Sequence, residues 1–287
     1  MSETRAAGGG KIKIQLGHSP DPDDAFMFYG LATGKMDPGP YEFTHILQDI
    51  QTLNERAMKG ELEVSAISLH AYPYVAKQYA LMGCGCSMGE NYGPMIVAKK
   101  PYSIEELKGK RIAIPGTMTT AFLTASIALG KGFRNVVKPF DEILDYVVAG
   151  HADAGLIIHE GQLTYQNQGL VCCLDLGKWW MERTGLPLPL GGNVVRRDLG
   201  AEHVVGVTRK LKESIAFSLA HRAEAVKHAL QYARDMNVEL ADEFVGMYVN
   251  HWTLEYGEKG RAAVNRLLDE GAAVGMVPKC TPVEFVE

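Results

Sequence analysis

His159 follows the apolar run Gly155-Leu156-Ile157-Ile158, whose length and composition suit a buried strand, and Glu160 comes next. An imidazole at a strand end, with an ordinary pKa of about 6.5, takes up a proton near neutrality and is a candidate general base. A strand-end histidine is also a common structural group satisfied by its neighbours, and the run alone leaves both roles open. Pro115-Gly116-Thr117-Met118-Thr119-Thr120 joins a strand-like run to a helical one. The first N–H groups of a helix lack internal partners, and with the helix dipole they favour an anion. The hydroxyls of Thr119 and Thr120 could add donors, or one of them could simply cap the helix. The segment lacks the Gly-Lys-Ser/Thr ending of a nucleotide loop, so a carboxylate suits it better than a triphosphate.

Ser65 and Ser68 flank Ala66 and Ile67 at the end of another apolar run. Their hydroxyls could hold a ligand or satisfy nearby backbone. Ser19-Pro20-Asp21-Pro22-Asp23-Asp24 carries acids that invite a metal reading. No histidine or further carboxylate stands at matching spacing, and Asp and Ser before a helix are preferred caps that suit its dipole. The first-turn role is therefore the expectation. Tyr72-Pro73-Tyr74 and Trp179-Trp180 could stack on a planar ligand, although core packing is the commoner use. His-Glu-x-x-His is absent from the sequence. Neither a metal nor an organic cofactor is expected.

These segments need elements to hold them. Strand-like runs fall at Ile12–Gly17, Glu42–Leu47, Val64–Leu69, Met95–Ala98, Arg111–Pro115, Val136–Phe140, Gly155–His159 and Val171–Leu174, with helical periodicity between them. That alternation predicts an α/β fold with parallel sheets covered by helices. From about Glu202 to Gly275 the pattern is helical throughout.

An internal echo points to two similar lobes. Helix, Gly60, an acid and the strand Val64-Ser65-Ala66-Ile67 recur ninety residues later as helix, Gly150, Asp153 and Ala154-Gly155-Leu156-Ile157. Both glycines are placed to end a helix in the left-handed region. Asp24-Ala25-Phe26 and Thr120-Ala121-Phe122 likewise open helices after strands. Residues 1–98 and 197–287 are then expected to form one lobe and 99–196 the other, with crossovers near 98–101 and 194–198. Ligands of open α/β sheets bind beyond the carboxyl ends of the strands, which brings His18–Asp24, Ser65–Ser68, Gly116–Thr120 and His159-Glu160 to an interlobe cleft.

The chain has 287 residues and a formal net charge of −5, without a Lys/Arg block to track phosphates, which argues against nucleic acid. No apolar run approaches the roughly 20 residues of a membrane span, and no secretory h-region precedes Lys11-Ile12-Lys13-Ile14, so a cytoplasmic protein without membrane insertion is expected. Cys84, Cys86, Cys172, Cys173 and Cys280 are odd in number and poorly spaced for disulfides or zinc, which suggests buried free thiols. Monomer and homodimer both stay open.

The combination of Ser19–Phe26, Pro115-Gly116 with Thr119-Thr120-Ala121, and Gly155–Glu160 resembles the 1,4-dihydroxy-6-naphthoate synthase family of the futalosine route to menaquinone. Asp175-Leu176-Gly177 with Trp179-Trp180, Arg183–Gly191 and Arg196–Leu199 extend the likeness over nearly the whole chain beyond the first ten residues. The resemblance implies a two-lobed, type II periplasmic-binding-protein-like fold. It implies a lyase that converts cyclic dehypoxanthinyl futalosine, a small-molecule carboxylate, to 1,4-dihydroxy-6-naphthoate and dihydroxyacetone. It assigns His159 as general base and places substrate contacts at Ser65, Ala66, Ile67, Ser68, Thr119 and Thr120. The family often has Cys and Asn where Asp21 and Asp23 stand, which leaves the role of that loop open. Chorismate dehydratase, a sister family of the same fold, and a non-catalytic receptor for small carboxylates are the alternatives.

Overall fold

The structure, a computed structural model, describes residues 10–158, 161–232 and 237–287. Its strands, in chain order, are β1 (Ile12–His18), β2 (Tyr41–Leu47), β3 (Val64–Ser68), β4 (Tyr79–Met82), β5 (Ser87–Gly89) and β6 (Met95–Ala98). They continue as β7 (Ile112–Ile114), β8 (Asn135–Val137), β9 (Ala154–Ile157), β10 (Val171–Asp175), β11 (Leu188–Arg196) and β12 (Phe285–Val286). Two sheets result. The larger runs β12-β4-β11-β3-β1-β2 with β5 beside β11, and the smaller runs β10-β6-β9-β7-β8. This is a two-lobed α/β fold.

The sheets are mixed rather than parallel. β1 runs parallel to β2 and β3, and β7 to β8 and β9. β11 lies antiparallel to β3, β4 and β5, and β6 antiparallel to β9 and β10. The antiparallel strands are those on which the chain passes between sheets. β6 belongs to the smaller sheet and β11 to the larger, so the chain changes sheet between Gly89 and Met95 and again between Asp175 and Leu188. Both changes fall several residues earlier than the expected 98–101 and 194–198. β11 itself was not expected as a strand. Proline and glycine normally interrupt central strands, and here Pro189 and Gly191 bracket a register shift against β5 before Asn193-Val194-Val195 pair regularly with β3.

The echoed glycines sit as the spacing predicts, Gly60 at φ 68° and Gly150 at φ 80°, each just past a helix and before a buried strand. All of β3 and β9 is buried, as small and apolar runs covered on both faces require. The helices Ala201–Ala220, Arg222–Ala229 and Val238–Tyr248 cover the larger sheet, with Val207, Leu211, Ala225 and Val245 in one cluster with Ile14, Leu16 and Val64. A second cluster joins the lobes, since Ile67 and Val194 of one sheet share it with Ile96 and Ile112 of the other and with Leu123 and Leu267. Trp180 lies in that core with its indole N–H on Pro187 O, and Tyr72 is buried there too. Of the cysteines only Cys84 and Cys86 are buried; Cys172 is exposed and Cys173 and Cys280 are intermediate. Among the described residues, no helix is long and apolar enough to cross a membrane.

Candidate active site

A cleft enclosing about 800 Å³, part of it open to solvent, lies where the strand ends of the two sheets meet. The larger lobe contributes the loop and helix start after β1 (Ser19, Asp21, Asp23, Asp24), the end of β3 (Ala66, Ile67, Ser68), and Leu190–Asn193 of β11. The smaller lobe contributes Thr119-Thr120-Ala121, Ile158 and Gln162, and Phe244 and Tyr248 close the far wall. Lys, Arg and His are absent among the described lining residues. Ser65 does not reach the cleft; it is fully buried and its hydroxyl donates to Ala66 O at 2.9 Å. His159 and Glu160 lie outside the described residues.

Thr119 caps the helix Thr120–Leu129. Its Oγ1 accepts from Phe122 N at 3.2 Å and donates to Gly116 O at 2.9 Å. The Thr120 hydroxyl donates to Leu190 O of β11 and accepts from His70 N at 3.4 Å. Both hydroxyl protons are thus committed within the protein. The N–H groups of Thr120 and Ala121 have no acceptor among the described residues. Any anion at this helix start is received by backbone N–H groups, with the threonines shaping the turn.

Asn54 and Gln51 hold this loop against the larger lobe. From the helix Ile50–Met58, Asn54 donates to Ser68 Oγ at 3.1 Å and to Met118 O at 3.3 Å, and its Oδ1 accepts from Ser68 N at 2.8 Å. Gln51 Oε1 accepts from Met118 N at 3.0 Å. Ser68 is therefore tied both to its own lobe and, through Asn54, to the opposite one. Sequence reasoning missed Asn54, although a signal existed: Ile50, Leu53, Asn54 and Ala57 follow the i, i+3, i+4, i+7 spacing of a buried stripe.

In the Ser19–Asp24 turn, Asp24 Oδ2 accepts from Ser19 N at 2.7 Å, and Ser19 Oγ donates to Asp21 Oδ2 at 2.6 Å. Asp21 is the N-cap of the helix Pro22–Met27, yet its side chain makes no capping bond; Asp24 reaches back to the turn instead. Asp24 is only 8% exposed. Burial pushes its carboxyl well above the usual range, and the neighbouring Asp23 and Asp21 add to the effect. Among the described residues no group of three or more His, Cys, Asp or Glu is arranged to hold a metal ion.

Behind the turn, His18 Nδ1 lies 3.0 Å from Ser19 O, and His18 Nε2 lies 3.0 Å from His45 Nδ1. If Nδ1 of His18 donates to the carbonyl, Nε2 must accept from His45, which keeps both rings neutral. His45 Nε2 is buried without a partner among the described residues. Burial first, then the neighbouring His45, takes the pKa of His18 down to about 3; burial takes that of His45 down to about 4.

Residues 14–273 match the family described as Menaquinone biosynthesis. The chain belongs to that family. A menaquinone-biosynthesis relative from Thermus thermophilus, named 1,4-dihydroxy-6-naphtoate synthase, is 40% identical over 92% of this chain and 95% of its own. A Streptomyces coelicolor protein of the same name is 36% identical over 94% and 96%. A crystal structure of an Archaeoglobus fulgidus protein superposes with a TM-score of 0.88 at 45% identity, covering 92% of this chain and 98% of that one. The alkanesulfonate-binding protein from Xanthomonas axonopodis pv. citri, bound to MOPS, matches at a TM-score of 0.71 and 14% identity over 96% of both chains. That last likeness shows a periplasmic-binding-protein-like fold for this member of the menaquinone-biosynthesis family.

Proposed function

We propose that this chain is a cytoplasmic carbon–carbon lyase that converts cyclic dehypoxanthinyl futalosine to 1,4-dihydroxy-6-naphthoate and dihydroxyacetone. The observation that carries the reading is identity of 36–40% over more than nine-tenths of the chain to two proteins named for that synthase. The cleft agrees with it. The substrate carboxylate is received at the start of the helix Thr120–Leu129, where unpaired N–H groups favour an anion, and Ala66, Ile67 and Ser68 flank the aromatic body. The two lobes, one per sheet, exclude water from the reacting centre. His159 takes the proton that starts the fragmentation, and the reaction runs on acid–base chemistry without a cofactor.

The test is to incubate the purified protein with cyclic dehypoxanthinyl futalosine and, separately, with chorismate, and to identify the products. Naphthoate and dihydroxyacetone from the first substrate alone are expected. Dehydration of chorismate would move the chain to the sister activity, and tight binding without turnover of either would make it a receptor.

A further inference from the structure

We propose that Asp24 is the general acid of this reaction, delivering a proton to the three-carbon fragment as the carbon–carbon bond breaks. The inference rests on the synthase reading above and adds to it a second proton-carrying group, on the other side of the cleft from Thr119 and Thr120.

Asp24 lines the cleft from the larger lobe, in the first turn of the helix Pro22–Met27. The Ser19 N–H holds Oδ2 at 2.7 Å, which fixes the orientation of the carboxyl group at the cleft wall. The turn that supplies this N–H is itself anchored, because Ser19 Oγ bonds Asp21 and Ser19 O meets His18 Nδ1. Asp24 is thus a group positioned by the hydrogen bonds of this turn.

Its surroundings favour the acid form. Burial removes the water that would support a negative charge, and Asp23 and Asp21 on the same segment oppose one, which together outweigh the Ser19 N–H and hydroxyl that favour the ionised form. Among the described residues, cations on the packed helices are not among the groups that act on the Asp24 carboxyl. On the helix Arg222–Ala229, Arg222 is paired with Asp242 at 2.8 Å and sits over the Phe26 ring, while Val238–Tyr248 brings the neutral Tyr248 to the cleft. A carboxyl kept neutral beside a substrate is the arrangement that lets an acid donate at neutral pH.

The proton count closes. The base removes one proton from the substrate, the carbon–carbon bond breaks, and its electron pair leaves on the three-carbon fragment as an enediolate. The Asp24 O–H bond breaks as a C–H bond forms on that fragment, which gives neutral dihydroxyacetone. The proton on the base then returns to Asp24 through solvent, and nothing is oxidised or reduced overall.

Asp24→Asn keeps the volume and removes the transferable proton. With the full-length protein and cyclic dehypoxanthinyl futalosine, kcat is expected to fall about 10²–10⁴-fold while KM changes a few-fold at most. The alkaline fall of the wild-type rate, as Asp24 ionises, should vanish in Asp24→Asn. An infrared difference spectrum, wild type minus Asp24→Asn at pH 7, should show the C=O stretch of a protonated carboxyl. Wild-type turnover by Asp24→Asn, or an ionised-carboxylate band at pH 7, overturns the proposal while leaving the synthase reading intact. A wild type that makes no naphthoate fails the synthase reading, and the donor role falls with it.

Discussion

Tyr248 Oη donates to Gln162 Oε1 at 2.9 Å, linking the end of the helix Val238–Tyr248 over the larger sheet to the helix Gly161–Thr164 that follows β9 of the smaller one. Both side chains are buried and both line the cleft. Opposite them, Asn54 and Gln51 grip Met118 across the same gap. Hydrogen bonds therefore tie the two lobes to each other along two walls of the cleft.

Tyr248→Phe removes one of these ties and leaves Gln162 Oε1 buried without its donor, at a cost of about 1–3 kcal/mol. The hold between the lobes weakens accordingly. Affinity for 1,4-dihydroxy-6-naphthoate, measured by calorimetry, is expected to drop roughly tenfold, since about 1.4 kcal/mol is one decade. An unchanged Kd would mean that the bond plays no part in holding the lobes around a ligand.

The threonines at the opposite wall are predicted to act on stability more than on recognition. Thr119→Ala removes the cap on Phe122 N and should lower unfolding free energy by about 0.5–2 kcal/mol, with Thr119→Ser restoring most of it. Ligand affinity measured at a temperature where both variants are folded should shift little, because the anion sees N–H groups. A large loss of affinity in Thr119→Ala with full stability would assign the hydroxyl to the ligand instead.

The buried histidine pair sets an acid limit on stability. In the unfolded chain both rings protonate near the ordinary pKa of about 6.5. In the fold His18 is held to about 3 and His45 to about 4. Between those limits the unfolded state binds more protons, so stability falls as pH drops, by about 1.4 kcal/mol per pH unit for each ring. Asp24 works in the other direction. Its raised pKa contributes stability at low pH that is lost as pH rises above the unfolded carboxyl value of about 3.9. Urea denaturation from pH 7 to pH 4 should show the histidine slope in the wild type and a shallower one in His45→Gln. Identical slopes would show that the pair is not the source.

Much of this arrangement was legible because local chemistry repeats it. Gly60 and Gly150 mark the same helix-to-strand corner in each lobe, since only a residue free of Cβ turns easily at positive φ. The strand end at Ala66–Ser68 and the helix start at Thr119–Thr120 follow from the rule that cleft residues lie past the carboxyl ends of parallel strands. β11 was hidden because Pro189 and the Gly191-Gly192 pair read as a loop, and its place in the sheet is set by tertiary pairing with β3 and β4. The partners Tyr248 and Gln162, or Asp24 and Ser19 N, carry no periodic signal. Their meaning depends on burial, which one sequence does not display.

His159 carries the remaining prediction. Among the described residues, Leu156 and Ile157 of β9 are buried and Ile158 lines the cleft, and the role proposed for His159 rests on the sequence alone. A neutral imidazole with a pKa near the working pH is the side chain best suited to take a proton from substrate. With His159 as base and Asp24 as acid, the rate requires the first unprotonated and the second protonated, which predicts a bell-shaped profile. His159→Asn should lower kcat about 10²–10⁴-fold and abolish the acidic limb, leaving product affinity within a few-fold of wild type. The acidic limb must be separated from acid unfolding of the His18–His45 pair, so each rate is measured only where far-UV circular dichroism shows the fold intact. Near-normal turnover by His159→Asn, or an acidic limb that survives the substitution, would place the base elsewhere in the cleft.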